Sequence, residues 1–118
     1  MPGANGDIAV IERQLDKMDS TATNLETLST LATKAGRSAD AQALSDQALA
    51  VRVQQFQLYR KKDQLISTSN DWKAFTAALE LVNHYIEAAM ADLAQIKKVL
   101  DAAAQVVDVA AKVVAAVG

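Results

Sequence analysis

The chain has 118 residues and a net charge of −2, contains no cysteine, and is half apolar and under a quarter charged. That length and apolar content suit one domain with a real core and exclude a disordered chain. The acidic balance argues against nucleic-acid binding, which depends on neutralising phosphates, and the lack of cysteine removes disulfide and thiol chemistry.

The apolar residues are of a helical kind. Alanine occurs 24 times, against five aromatics (Phe56, Tyr59, Trp72, Phe75 and Tyr85), and alanine is the best helix former. Of the four glycines and one proline, only Gly36 lies between residues 7 and 117, so the interior is almost free of breakers. The first residues lack the basic and apolar regions of a cleaved signal, and no run of 18 apolar residues exists to span a membrane. A cytoplasmic protein is the default expectation, with signal-less secretion as the alternative.

Residues 1–6 read as a flexible tail, and Asn5 or Asp7 is placed to cap a first helix over 7–35. Its apolar seam is Ile8, Ile11, Leu15, Met18, Ala22 and Leu25, drifting to Leu28 and Leu31. Residues 20–33 are rich in threonine and serine, which lowers intrinsic helix propensity, so packing must hold that half. Lys34-Ala35-Gly36-Arg37-Ser38 reads as a stop and restart, with Gly36 as the left-handed exit and Ser38 as the next cap.

A second helix is expected over 39–67, burying Leu44, Ala48, Val51, Leu58 and Leu65. A second stripe, Leu49, Val53, Phe56 and Ile66, is expected to widen that face toward another neighbour. Ser67–Asp71 reads as a turn, with Ser69 or Asn70 capping a third helix over 71–117. The third helix carries a heptad of bulky residues without a slip: Trp72, Leu79, Ile86, Leu93, Leu100, Val107 and Val114. Beyond Lys98 the polar stripe shrinks and the valines widen the apolar arc, so that end must be covered on more than one side. An unbroken third helix would be about 70 Å long beside partners of roughly 43 Å, at 1.5 Å per residue. Either a second molecule covers the excess, or the chain bends near Val99–Asp101 into a short fourth helix. The fold expected is therefore all-α: an antiparallel helical bundle of three long helices, with that bent four-helix form as the alternative.

Candidate sites are few. His84 has Glu80 and Glu87 at helical spacing, yet all three lie opposite the seam, where a solvated face is the simpler reading than a metal site. The single histidine has no particular serine to activate, so no catalytic residue is assigned and no enzyme is expected. Tyr59–Lys62 with Arg52 reads as charge matching at a helix end rather than an anion site. Trp72 and Phe75 read as an end plug rather than a binding hot spot. The segment Val99–Val117 carries the partner hypothesis through Val99, Val106, Val109, Val113 and Val117. With one lysine, two aspartates and no aromatic, it suits a protein contact better than a membrane surface.

In composition the chain is similar to small, cysteine-free, exported helical proteins such as secretion-needle subunits and the Trp-x-Gly hairpin family. The hairpin motif is missing, since Trp72-Lys73-Ala74 has no glycine. The expectation is a non-enzymatic helical bundle acting by protein–protein contact or self-association through its C-terminal helix, with no cofactor, metal, nucleic acid or small-molecule substrate. The alternative is a monomeric four-helix bundle of unassigned function, including an exported effector or antigen.

Overall fold

The computed structural model describes the backbone of residues 2–117 and the side chains from Ile8 onward. Four helices account for nearly all of it: α1 (Pro2–Lys34), α2 (Ser38–Arg60), α3 (Asn70–Ala91) and α4 (Ile96–Val117). Short 3-10 turns at Lys62–Gln64 and Leu93–Gln95 precede α3 and α4, and no strand occurs among the described residues. The helix starts at Pro2, ahead of the expected Asp7, and the capping assigned to Asn5 or Asp7 falls on side chains outside the described residues.

The threonine-rich half of α1 is helical to Lys34. Its hydroxyls fold back onto their own helix: Thr27 donates to the Thr23 carbonyl at 3.1 Å, Thr30 to Glu26 at 3.2 Å and Thr33 to Ser29 at 3.0 Å. Such back-bonds satisfy the hydroxyls without holding a helix by themselves. Packing holds it, because Leu25, Leu28 and Ala32 on the other face are fully buried.

At Gly36 the backbone takes φ +79°. The Arg37 N–H then reaches the Ala32 carbonyl at 2.8 Å and the Gly36 N–H reaches Thr33 at 3.0 Å, the paired bonds of a Schellman cap. Ser38 does not cap α2 as expected. Arg37 is already the residue before the helix, its carbonyl taking the Ala41 N–H at 2.9 Å, so Ser38 falls inside the first turn.

α2 ends at Arg60, earlier than expected, and the reason is topological. Helix α1 packs against α2 and α3, while α4 packs against α3 and α2. The four therefore stand at the corners of a square in the order α1, α2, α4, α3, with α2 diagonal to α3. Lys62 beside Glu12 puts the exit of α2 next to the start of α1, and Val113 and Val117 line a small cavity with Leu65 and Ser69 at the entrance to α3. Hence α1 and α3 run one way and α2 and α4 the other. The connection over residues 61–69 must cross the diagonal at one end of the bundle, which a continuing helix cannot do. Leu65 turns extended there and buries its side chain beneath the strap.

The third expected helix is two helices of equal length, and the break falls at Asp92–Gln95 rather than near Val99–Asp101. Asp92 leaves helical geometry (φ −150°, ψ 102°), keeps its N–H on the Ala88 carbonyl, and accepts the Ala94 N–H on its carboxylate at 3.1 Å. One side chain thus ends α3 and opens the next turn. Val99 and Leu100 continue α4 undisturbed, since apolar β-branched and leucine side chains are better placed in a packed helix than in a turn. At the other end of α3, Ser69 caps as expected, taking the Trp72 N–H at 3.1 Å.

The core runs the length of the square, from Trp72 and Phe75 at one end, with ring centroids 5.1 Å apart, to Leu28, Leu44 and Ile96. Thr21 is its one buried polar residue among those described, its hydroxyl 2.8 Å from the Lys17 carbonyl and 3.0 Å from Asn83 Oδ1.

A Cβ added at Gly36 would meet no atom within 4 Å, so a substitution there tests backbone strain alone. Gly36→Ala is expected to lower unfolding free energy by about 1 kcal/mol, and Gly36→Asn by less, because asparagine tolerates the left-handed region. Urea unfolding of the three proteins measures both differences.

Candidate interaction surface

The valines expected to meet a partner are placed inside the chain's own core. Val99 and Val106 are fully buried, Val109 and Val113 nearly so, and Val117 is half-buried against the same cluster. They are covered because α4 is a bundle corner that faces both α3 and α2. The apolar arc of α4 is thus largely answered within one molecule, with Leu100, Val107 and Val114 half-buried at its edge.

The outward apolar surface lies on α2 instead. Leu49, Val53 and Phe56 are 65, 48 and 61% exposed, with Tyr59 and Ile66 also more than half exposed. Positions 49, 53 and 56 share one helix face, and Val51 and Leu58, which are fully buried, lie roughly opposite. The stripe expected to widen the buried face therefore points to solvent. α2 is apolar on two sides, a core side and a free side.

The cations around this stripe have named partners. Arg52 Nη1 lies 2.8 Å from Asp19, and its Nη2 lies 2.9 Å from Glu26 and 3.2 Å from Thr23, tying α2 to α1. Hydrogen bonds to Glu26, then to Asp19, hold the Arg52 guanidinium above its already high ordinary pKa. Lys62 Nζ reaches Glu12 at 3.1 Å and sits 4.4 Å from the centre of the Tyr59 ring. The Glu12 bond first, and Tyr59 second, raise that ammonium above the usual lysine range. Arg60 lies over the Phe56 ring at 5.7 Å. Arg52 and Lys62 are therefore engaged by α1 carboxylates rather than gathered into an anion site. Exposed pairs of this kind fix the register of α1 and α2 more than they stabilise. Two buried-side bonds add to that register, from Gln55 Nε2 to the Leu15 carbonyl at 3.1 Å and from Ser29 Oγ to the Ala41 carbonyl at 2.7 Å.

On the other side of the bundle, an open groove of about 660 Å³ runs between α3 and α4. Its floor is Ala74, Ala77 and Ala78 from α3 with Ala102 from α4, side chains too short to fill the valley between two helices. Leu81 and Tyr85 line it further along α3, and Lys98, Asp101 and Gln105 line it from α4. Nothing in the sequence periodicity marked this groove, because alanine reads equally well as core or as surface.

His84 is exposed, its ring 5.8 Å from that of Tyr85, and among the described residues no group of three or more His, Cys, Asp or Glu could hold a metal ion. Trp72 and Phe75 are buried and plug one end of the core. No helix of the described chain is long and apolar enough to cross a membrane. The sequence matches no protein-family model, and comparisons with curated proteins and with solved structures return no match.

These placements separate two kinds of apolar residue by measurement. Val106→Ala is expected to cost about 2 kcal/mol through lost burial and a residual cavity. Phe56→Ala, although it removes a larger side chain, should change stability by less than about 0.5 kcal/mol, as surface substitutions do. Thermal and urea unfolding of the two variants checks the contrast.

Proposed function

We propose that this chain is a non-enzymatic protein-interaction module whose contact surface is the outward stripe of α2, Leu49, Val53, Phe56 and Tyr59. The observation that carries the reading is the exposure of these four large side chains, three of them along one helix face with Tyr59 beside Phe56 at its end, while the larger apolar content of α4 is covered. Apolar side chains scattered singly over a surface are ordinary, whereas a contiguous stripe marks a surface that functions in contact. The stripe also has the form of an interface centre. Aromatic and aliphatic groups occupy the middle, and Asp46 and Arg60 flank it at the two ends. Its rigid helical backbone removes most of the ordering cost of binding.

This reading moves the contact from the C-terminal helix to α2 and retains protein contact as the activity. The expected partner is a protein, because neither the stripe nor its flanks gathers the cationic field that a nucleic acid or an anionic bilayer requires.

A photo-reactive phenylalanine placed at position 56 in cells expressing the protein tests the proposal, with the same group at the exposed position 87 on α3 as control. Discrete protein adducts at position 56 that disappear when Leu49→Asp is added are the expected outcome. Equal adduct patterns at 56 and 87 would defeat it.

A further inference from the structure

We infer that the partner of the α2 stripe is a second copy of this chain, with the stripe of one molecule seated in the α3–α4 groove of the next. The inference rests on the reading of the stripe as a contact surface and adds what fills it.

The first argument is complementarity between two surfaces of one molecule. The stripe is a ridge of large side chains, and the groove is a valley floored by alanine. Small floor residues let a third helix approach closely, so that Val53 and Phe56, three residues apart, enter the spaces left by Ala74 and Ala77, also three apart. The lengths agree as well. From Leu49 to Tyr59 the helix rises about 15 Å, and from Ala74 to Tyr85 the groove extends about 16 Å.

The second argument is charge. Asp46 and Arg60 flank the ridge, Arg52 and Lys62 beside it are answered by Asp19, Glu26 and Glu12, and Lys98 and Asp101 stand on the groove rim, so charges of both signs border each surface. Two balanced surfaces repel neither each other nor water-filled rim contacts, whereas an acidic or basic partner would find no opposite field on either.

Area gives the third argument. The exposed portions of Leu49, Val53, Phe56 and Tyr59 leave on the order of 400–500 Å² to cover, near 1,000 Å² when both partners are counted. That is the lower bound for a specific contact, the size class of weak and transient associations.

Position decides the form of the assembly. Arg52, on the α1 side of α2, is three residues from Leu49 and four from Phe56, which places the ridge toward the α1–α2 side of the square. The groove opens on the α3–α4 side. One molecule therefore cannot fill its own groove, and two molecules cannot exchange both contacts at once. The contact is head to tail, and its repetition gives a ring or an open chain according to the rotation between successive copies.

Sedimentation of purified protein from ten to several hundred micromolar tests this with two surface variants, Phe56→Asp for the ridge and Ala77→Glu for the groove. Both positions are exposed, and circular dichroism checks that the variants remain folded. The wild-type average mass should rise with concentration past that of a dimer. Each variant alone should stay monomeric. Their mixture should form a one-to-one complex and nothing larger, since one supplies an intact groove and the other an intact ridge. A monomeric wild type overturns the inference, as does a mixture that stays monomeric. Association abolished by Phe56→Asp but untouched by Ala77→Glu also overturns it, in favour of a symmetric α2–α2 contact. A monomeric wild type that still gives position-56 adducts to another protein defeats self-association alone, whereas loss of those adducts defeats the interaction reading too.

Discussion

Water cannot be left against the apolar arc of α4, and the arrangement of the other helices follows from that. Val99, Val106, Val109 and Val113, with Ala102, Ala103 and Ala110 between them, form one buried face about a third of the circumference wide, and that face is shared between α3 and α2. At about 25 cal/mol per Å² of apolar surface, exposing such an arc would offset much of the net stability of a domain this size. α4 therefore occupies a corner with α3 on one flank and α2 on the other, and α1 closes the square from across the diagonal. Alanine makes this possible. Helices that meet through alanine and valine approach closely, and the four pack into a slender bundle whose backbone extends 53 Å along its length and only 23 and 19 Å across.

The fold class, the first turn and most of the core were legible in the sequence because they rest on periodicity and on one glycine. Ile11, Leu15, Met18, Ala22 and Leu25 repeat at helical spacing and are all buried, and Gly36 is the one interior residue suited to a left-handed exit. The break at Asp92 was hidden for a physical reason. The apolar heptad runs on through residues 92–95 without a gap in the sequence, although the buried register steps back by one residue there: Trp72, Leu79 and Ile86 are buried in α3, whereas in α4 Leu100, Val107 and Val114 are half-buried beside fully or nearly buried Val99, Val106 and Val113. A lone aspartate among alanines gave the only local signal, and aspartate on the polar stripe of an unbroken helix looks the same.

The interaction surface was harder to read. Leu49, Val53 and Phe56 fit a helical face as well as Leu44, Val51 and Leu58 do, and a sequence does not say which of two apolar faces has a neighbour. That depends on α2 being a corner with α1 and α4 beside it, and on Arg52 clamping it to Asp19 and Glu26. Likewise the valines of α4 suggested a partner only because a long unbroken helix had nothing of its own length to lie against. Once the chain reverses at Asp92, α3 supplies that length.

The strap over residues 61–69 has a kinetic consequence. Each half of the molecule, α1 with α2 and α3 with α4, is a hairpin closed by a short turn, so the contacts within a half join residues close together in sequence and form early. Joining the halves requires the strap to swing across the bundle end and bury Leu65, and only then do α2 with α4 and α1 with α3 find each other. In terms of sequence separation, docking the two hairpins is thus the long-range step of the topology, since it alone joins residues across the strap.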